Sequence, residues 1–490
     1  MNLKLPTQEE ISTAYHQGEE AVLALFVQVN IQFANLAQEL EKQAKAIKEL
    51  QAKLSKNSSN SGKPPSSDGY GKSNRTESQR KKGQKPNGGQ NGHEGSTLKA
   101  TDKPDKTETH PVDNVCANCK SSLKKEKISD HEERQVFDIP AIHIEITAHK
   151  AEIKICPKCG AKNKGNFPDN VTQPTQYGSR VKTWASYFSV QHFIPTARTS
   201  QIFEDLVDHR VSQASIIASC HKLSQQVAPA TQAVKAQLQQ ADVAFFDETG
   251  IRVKGKLHWL HSASTNKLTY YTVHPKRGQV AMDEMGILSN FTGTACHDHW
   301  KPYFNYEEVD HALCNAHHLR ELAFLEKQHN QVFAPKMANL LIEINQAKKT
   351  CNTACFERHE IATYEARYHQ IVQEGFDESP EKFPPHSQRP KRGRTKQTPA
   401  YNMLRRLRDF QSEVLKFMYD FRVPFTNNQA EQDVRMIKVK QKVSNCFRTT
   451  IGAEEFVENR AYISTARKNE QNVFRSIHAA FENNPFIPCS

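Results

Sequence analysis

Two aspartates lie on strand-like segments in the second half of this 490-residue chain, and this pattern constrains the fold most strongly. An apolar run ends in Asp247, and two alternating segments, a helical segment and a fourth strand carrying Asp298 follow it. The four later segments span residues 250–264, 267–274, 280–288 and 293–300. Period-two alternation interrupted by a helix predicts a mixed α/β core with one acid on its first strand and one on its fourth.

A third acid lies on a predicted helix further along the chain. In residues 423–442, VPFTNNQAEQDVRMIKVKQK, the helical repeat places Glu431 on one face with Arg435, Lys438 and Lys442. One acid for a metal ion and three bases for phosphates suit a helix that cleaves DNA. The alternative is a capping box, in which Glu431 closes the first turn that Asn428 begins. The two roles are compatible.

Two Cys-x-x-Cys pairs predict a zinc site. They are separated by 36 residues and consist of Cys116, Cys119, Cys156 and Cys159. Four thiolates can complete one tetrahedral structural zinc site. Residues 132–140 and 142–155 alternate like strands, as in a zinc ribbon, so we expect a module over residues 111–165. Two unrelated pairs of reduced cysteines are the alternative.

The N-terminal segment carries a heptad repeat. Its two seams are Phe26, Phe33, Leu40, Ile47 and Leu54, and Val22, Val29, Leu36, Gln43 and Leu50. About four sustained heptads predict a two-stranded coiled coil over residues 8–55, and therefore a homodimer or higher oligomer. A helix that packs on its own protein is the alternative.

The remaining composition favours an intracellular protein. The longest mainly apolar stretch, Ala21–Val29, has only nine residues and includes the polar Gln28. A membrane helix needs about 20 apolar residues. The N-terminus has no apolar signal-peptide core, and the 11 cysteines are an odd number. We therefore expect no membrane span and a cytoplasmic location.

The excess positive charge is concentrated in two low-complexity stretches. The chain carries a net charge of +12, of which residues 56–106 supply +6 and residues 389–396 supply +5. Such arms are typical of phosphate-contacting segments, although solvated linkers would have the same composition. The first belongs to a linker at 56–110 that is too polar to form a core. The densest bases are Arg80, Lys81, Lys82, Lys85, Lys391, Arg392 and Arg394.

Residues 175–240 are predicted to be helical. Thr199–Val207, a turn at 208–211 and Ser212–Val227 fit a helix, tight turn and helix, with Ser212 as the N-cap. A DNA-reading helix-turn-helix has this pattern, and so does an ordinary helical hairpin.

In order and over nearly the whole chain, these motifs resemble transposases of the bacterial insertion-sequence-sixty-six (IS sixty-six) family. The matching pieces are the KNSSNSGKPPSSD linker, the paired knuckles, DETGIRVKGKLHWLHSAST, CHDHW, HALCNAHHLREL and VPFTNNQAEQDVRMIKVKQKVSNCFRTTIGAEEF. The family is similar to enzymes with an Asp-Asp-Glu triad on a ribonuclease H-like core, whose first and fourth strands lie side by side. The resemblance implies that Asp247, Asp298 and Glu431 hold two Mg²⁺ (or Mn²⁺) ions for DNA cleavage and strand transfer.

The expected protein is therefore a multidomain α+β chain that acts on DNA. Its parts are a coiled-coil helix (8–55), a basic linker (56–110), a zinc-binding module (111–165), a helical DNA-binding region (175–240), a ribonuclease H-like core (241–318 and 423–490) and an all-α insertion (319–422). Its partners are the terminal inverted repeats of the element, target DNA and small accessory proteins that the same element encodes. We expect it to be nucleoid-associated.

Several residues beside the acids have two interpretations. Related triad transposases carry a Cys-x-x-His pair where Cys314 and His317 stand, and the pair either binds metal or packs at a strand-to-helix turn. His297 and His299 flank Asp298, and we expect them to be packing groups. Trp300 is expected to contact flanking DNA.

Two other functions remain open at this stage. A non-catalytic zinc-containing DNA-binding regulator would retain the zipper, knuckles and basic arms, but it would have no need of three metal-facing acids. A ribonuclease H-like nuclease would use the same acids without strand transfer.

Overall fold

The computed structural model describes residues 5–54, 98–383 and 395–489, which form two compact units. The larger unit contains residues 5–54, Pro168–Gln201 and 211–489. The smaller contains residues 98–167 and Ile202–Arg210. The basic residues predicted in the linker and in the loop of the insertion, from Arg80 to Lys85 and from Lys391 to Arg394, lie outside the described residues.

The N-terminal segment forms two helices, α1 (Gln8–Gln17) and α2 (Glu19–Leu54). Thr7 and Glu10 make a reciprocal capping box at the start of α1, and Gly18, with φ of 105°, separates the helices. The first heptad seam of α2 faces solvent, where Phe26 is 63% and Leu40 57% exposed, whereas Val22, Val29 and Leu36 of the second seam are half-buried. The coiled coil stays a prediction, and α2 offers the apolar surface that it needs.

Helix α2 also meets a membrane-span criterion that the sequence argument did not anticipate. The stretch Glu19–Ala44 is long and apolar enough to cross a bilayer by length and composition, with a mean hydropathy of 1.3. The window Glu19–Ala44 is apolar on average, although polar residues interrupt each apolar run within it. Amides at Gln28, Asn30 and Asn35 interrupt that window, and hydrocarbon would leave them without hydrogen-bond partners.

The smaller unit contains little regular structure. Its strands β1 (Ile153–Ile155) and β2 (Lys162–Lys164) pair antiparallel, and Val115 and Ser122 form an isolated bridge. The strands predicted over 132–140 and 142–155 are wrong except at Ile153–Ile155, because the rest of that stretch is unpaired coil. Apolar side chains of this stretch face solvent: Val136 is 88% and Ile146 90% exposed.

Helices lead from there into the central sheet of the larger unit. They are α3 (Ser179–Ser186), which continues as a π-helical turn over Tyr187–Gln191, α4 (Thr196–Val207) and α5 (Gln213–Gln239). Ser212 caps α5 as predicted, accepting a hydrogen bond from the Ser215 N–H at 3.1 Å. Helix α5 continues beyond the predicted end, through Pro229, to Gln239.

The central sheet is mixed and has five strands in the order β5-β4-β3-β6-β7. They are β3 (Val243–Val253), β4 (Lys256–Ser264), β5 (Thr269–His274), β6 (Thr294–His297) and β7 (Asp310–Leu313). Strands β3, β4 and β5 form an antiparallel meander, and β6 and β7 continue parallel to β3. Lys254 and Gly255, both with positive φ, form the two-residue hairpin between β3 and β4. The first and fourth strands in chain order, β3 and β6, are therefore adjacent in the sheet, as expected.

Helices surround the sheet. α6 (Gln279–Met285) precedes β6, and α7 (Asn315–His329) follows β7. The insertion adds α8 (Phe333–Thr350), α9 (Arg358–Glu378), α10 (Pro399–Asp409) and α11 (Gln411–Tyr419). The chain then returns through α12 (Asn428–Ser444), α13 (Thr450–Lys468) and α14 (Val473–Phe481).

Both faces of the sheet are buried, as two consecutive residues of β3 illustrate. Phe245 belongs to an apolar cluster with the insertion helices, and it is 5% exposed. Phe246 packs in a different cluster, with Leu238 of α5 and Phe291, and it is 3% exposed. Because side chains alternate along a strand, Asp247 is on the face of Phe245 and Glu248 on the face of Phe246.

Candidate active site

The sheet places Asp247 and Asp298 at neighbouring positions. Phe245 of β3 lies opposite Cys296 of β6 in parallel register, and each aspartate follows two residues later. Asp298 is the first residue after β6, so it lies outside the paired part of that strand. Asp247 lies within β3 and Asp298 directly follows β6, so the two acids are at the same level of two adjacent parallel strands, where β6 ends.

Glu431 comes from the first turn of α12, and two contacts of Asn427 hold that turn in place. The Asn427 side chain donates to the Phe246 carbonyl of β3 at 2.8 Å, and its backbone N–H donates to Cys314 Sγ at 3.1 Å. The N-cap is Asn427 rather than Asn428, and its side chain makes no capping hydrogen bond within the described residues. Among the described residues, Glu431 therefore does not form the capping box with Asn428 that was considered as an alternative.

The three acids are close enough for their charges to interact: Asp298 and Glu431 act on Asp247, and Glu431 acts on Asp298. Burial raises the pKa of Asp247 well above its usual value, and the negative charges of Glu248, Asp298 and Glu431 raise it further. Burial, followed by Glu248, raises the pKa of Asp298 to about 7, while the Trp300 N–H and Arg277 oppose the rise. Clustered, half-buried carboxylates of this kind are stabilised by a cation, and their oxygen atoms are the ligands that Mg²⁺ prefers.

A second layer of residues next to the acids was not predicted from the sequence. Glu248, 5% exposed, accepts hydrogen bonds from Arg277 Nε at 3.0 Å and from Tyr303 Oη at 2.6 Å. The Arg277 guanidinium lies 4.8 Å from the Trp259 ring centroid and 4.2 Å from that of Trp300. The DET sequence places Glu248 beside Asp247, but nothing local in the sequence indicated that Arg277 would neutralise it.

Glu431 lies beside residues of helix α7. Its Oε1 is 3.8 Å from His317 Nε2 and 3.4 Å from Arg320 Nη2. In the part of the chain that the structure describes, ligand atoms of Cys314, His317 and Glu431 all lie within 4.8 Å of one another. The Cys-x-x-His spacing predicts that Cys314 and His317 lie close together. Their proximity to Glu431 depends on the tertiary fold and could not be predicted from that spacing.

The histidines beside Asp298 pack inside the protein. His297 is fully buried, stacks on Tyr303 with ring centroids 4.5 Å apart, and lies 2.9 Å from His311 through its Nε2. His299 packs edge-on against Phe410 at 4.4 Å. Both therefore have the packing role that the sequence argument favoured.

The predicted basic face of α12 divides in two. Arg435 and Lys442 are exposed. The Lys438 ammonium instead donates a hydrogen bond to the Gly250 carbonyl of β3, so it ties α12 to the sheet. Two bases of this face remain available to a phosphate backbone.

The two Cys-x-x-Cys pairs form matching turns in the smaller unit. Cys116 N–H bonds the Ser121 carbonyl at 2.8 Å, and Cys156 N–H bonds the Ala161 carbonyl at 2.9 Å. The fourth residue after each leading cysteine, Lys120 and Gly160, has positive φ. Hydrogen bonds with Ser121 lower the pKa of Cys119 to about 7, which favours the metal-binding thiolate. No three of these sulfurs form a metal-binding group among the described residues.

Comparisons with known proteins bear on most of the chain. A family model described as "Transposase IS66 family" matches residues 174–455, which include the sheet, the insertion and all three acids. A second, described as a family of unknown function (DUF6444), matches residues 4–99. No curated protein matches the chain.

Proposed function

We propose that this chain, which belongs to the IS66 family of transposases, binds the terminal inverted repeats of an insertion sequence and catalyses metal-dependent DNA cleavage and strand transfer. Its family makes it a transposase, and the finer activity is our inference from the site. The observation that carries it is geometric: Asp247 and Asp298 each lie two residues beyond the paired Phe245 and Cys296, and the negative charges of Asp298 and Glu431 act on Asp247. The strand order, with three antiparallel strands followed by two parallel ones, supports a ribonuclease H-like core.

In this proposal the three acids hold divalent cations. All the donor atoms are carboxylate oxygens, which fits Mg²⁺ or Mn²⁺. A bound cation would offset the repulsion between the ionised carboxylates and so displace their protons. When bound, such cations activate the attacking oxygen and stabilise the leaving oxygen of a phosphodiester. Asp247 and Asp298 supply ligands from the rigid sheet edge, and Glu431 closes the site from α12.

Neighbouring groups fix the orientation of these ligands. The Trp300 N–H donates to Asp298 Oδ1 at 2.9 Å, which orients the carboxylate without adding charge. Asn427 anchors the first turn of α12 to β3, which sets the distance of Glu431 from the sheet edge. Outside the acids, exposed Arg435 and Lys442 are positioned on α12 to contact DNA phosphates, and we propose Trp300 as a contact to flanking DNA.

The smaller unit is proposed to hold Zn²⁺ through Cys116, Cys119, Cys156 and Cys159. The matched turns and the lowered pKa values of Cys119 and Cys156 fit two halves of a four-thiolate site. A zinc ion shared by the two halves would cross-link this unit internally. We assign it, with the linker bases, to gripping the element ends.

Transposition also requires two ends to be held together. We propose that α2 pairs with a second copy through its exposed heptad seam, in a protein that acts in the cytoplasm on the nucleoid. Accessory proteins of the same element are further proposed partners.

The deciding experiment is Mg²⁺-dependent release of a labelled 3′ end from DNA that carries the element's termini. The intact chain should release the end, and Asp298→Asn should not, while still binding the DNA. Asp310→Asn is the matched control, because Asp310 is an exposed aspartate at the start of β7. Binding without cleavage by the intact chain would favour a non-catalytic regulator. Cleavage without joining to a second DNA would favour a nuclease.

A further inference from the structure

We propose that Cys314, His317 and Glu431 form a binding site for a borderline-soft divalent cation of the Zn²⁺ class, separate from the cysteine knuckles. Cys314 lies at the junction of β7 and α7, His317 one turn into α7, and Glu431 on α12. Their ligand atoms all lie within 4.8 Å of one another, and His317 Nε2 is 3.8 Å from Glu431 Oε1. Ligands around a tetrahedral zinc are about 3.5 Å apart, given metal–ligand distances of about 2.0–2.3 Å.

The sulfur of Cys314 is set in a pocket that suits a metal-bound thiolate. Its residue is 4% exposed, and the Asn427 N–H donates to Sγ at 3.1 Å. Burial raises the pKa of the Cys314 thiol to about 11 in the metal-free chain, whereas hydrogen bonds from the backbone N–H groups of Asn427, Ala316 and His317 oppose that rise and would favour the thiolate that a metal holds. Because Asn427 also anchors α12 to β3, the contact that positions Glu431 also stabilises the sulfur.

The imidazole of His317 is the second indication of a ligand. Its Nδ1 is buried and has no hydrogen-bond partner among the described residues. A buried ring nitrogen without a hydrogen-bond partner is unfavourable. A metal ion bound to the imidazole would provide one of its two ring nitrogens with a partner. The neighbouring cation, Arg320, is 3.4 Å from Glu431 Oε1 and supplies the positive charge that a bound metal would replace.

The donor set identifies the class of cation. One thiolate, one imidazole and one carboxylate form a three-ligand site with an open fourth position, which suits Zn²⁺ or Co²⁺. Mg²⁺ prefers oxygen ligands only, so this site would discriminate against it. Four-thiolate knuckles are closed, and the two kinds of site should differ in affinity and in their spectra.

One consequence rests on the proposed function. Glu431 would be shared between the acids on the sheet and the Cys314–His317 pair, and it cannot fully serve both. Zn²⁺ at the new site should therefore withdraw Glu431 from the Mg²⁺ site and inhibit DNA cleavage.

Co²⁺ titration of the full chain, with its knuckles already loaded with Zn²⁺, tests the site directly. We expect one further Co²⁺ per chain, with charge-transfer absorption from a single thiolate. Cys314→Ser should abolish that absorption and His317→Ala should weaken Co²⁺ binding by roughly 10- to 100-fold. Cys220→Ser, which alters a half-buried thiol outside this site, is the matched control and should bind Co²⁺ like the unaltered chain. Thermal unfolding of each variant reports whether it folds.

Two results would overturn the site: no Co²⁺ bound beyond the knuckles, or equal absorption in Cys314→Ser. Asp247→Asn separates the site from the proposed function, because it should lose cleavage and keep the Co²⁺–thiolate absorption. For the inhibition, Zn²⁺ should reduce cleavage at constant Mg²⁺ about tenfold in the unaltered chain and far less in Cys314→Ser. Equal inhibition of both would show that Zn²⁺ acts elsewhere.

Discussion

Trp300 contacts the candidate active site twice: its backbone N–H donates to the carboxylate of Asp298 at 2.9 Å, and its indole lies 4.2 Å from the Arg277 guanidinium. Arg277 in turn neutralises Glu248, whose negative charge raises the pKa values of Asp247 and Asp298. Arg277 therefore acts on the ionisation of Asp298 through its charge, and it packs on the residue whose N–H holds that carboxylate.

Replacement of Arg277 by glutamine should weaken metal binding and shift its pH dependence. Without Arg277, the Glu248 carboxylate is left buried with Tyr303 as its remaining side-chain partner, which costs about 3 kcal/mol of unfolding free energy. The pKa of Asp298 should rise above its value of about 7, because Arg277 lowers it. The acidic limb of the cleavage–pH profile should move to higher pH, and more Mg²⁺ should be required.

Arg252→Gln is the control for that experiment. Arg252 is an exposed arginine on the same strand as Glu248, bonded to the Gly255 carbonyl at 3.1 Å. Its loss should leave the pH profile where it is. A parallel fall in activity at every pH for Arg277→Gln, without a shift, would mean that the residue acts on folding alone.

Without metal, the chain should lose stability as the pH rises from about 4 to 7. The folded pKa of Asp298, about 7, is above its usual value of 3.8, so in this interval the folded state binds more protons than the unfolded state. Stability linked to a raised carboxyl pKa is present at low pH and is lost as pH rises through the folded pKa. Asp298→Asn should remove about 4 kcal/mol of this dependence, at about 1.4 kcal/mol per pKa unit, and Mg²⁺ should restore the unaltered chain at pH 8.

Urea unfolding of the metal-free chain at pH 5 and pH 8 measures this effect. The comparison of interest is the difference between the unaltered chain and Asp298→Asn at each pH, since other groups titrate in both. An equal difference at the two pH values would contradict a raised pKa for Asp298.

The sequence was most informative where the signal is local. Alternation predicted β4 and β5, and the S/T/N/D preference at N-caps identified Ser212. The first strand was expected to end at Asp247 and the second to span 250–264, but β3 continues to Val253, because the hairpin is at Lys254 and Gly255. The helix around Glu431 was predicted from its helical repeat. Each of these features depends on residues within a few positions of one another.

The rest depended on contacts between distant parts of the chain. Arg277 reaches Glu248 across 29 positions, and Asn427 reaches Phe246 across 181. Lys438 has the spacing of a DNA-contacting base, but the packing of α12 on β3 turns it to the Gly250 carbonyl. The strands expected between the knuckles lack a core, so alternation there did not produce a sheet.

The knuckle cysteines should hold one Zn²⁺ tightly per chain. Cys156→Ser should lose that metal, and the smaller unit should become sensitive to protease, because its apolar side chains have no core to stabilise them. Cys489→Ser, at an exposed cysteine outside the knuckles, should retain both the metal and the resistance. Metal analysis after gel filtration, followed by limited proteolysis, measures the two outcomes. Unchanged zinc in Cys156→Ser would contradict a four-thiolate site.

A charge on the heptad seam of α2 should separate the proposed dimer. Phe33 is on the seam and 51% exposed, and a second helix would bury it. Phe33→Asp should place two like charges in that interface and shift the chain from dimer to monomer at micromolar concentration in analytical ultracentrifugation. Asn35→Asp adds the same charge two positions away, off both seams, and should leave the dimer intact.

The same pair of variants distinguishes self-association from membrane binding. If α2 inserted in a bilayer, each added aspartate would cost about 2.5–3.5 kcal/mol at the helix centre, so both variants should lose flotation with lipid vesicles. A coiled coil instead responds to the position of the charge, because only the seam is desolvated on pairing. Sensitivity of the dimer to Phe33→Asp but not to Asn35→Asp therefore supports a second copy as the partner. A chain that is monomeric without any substitution would contradict it.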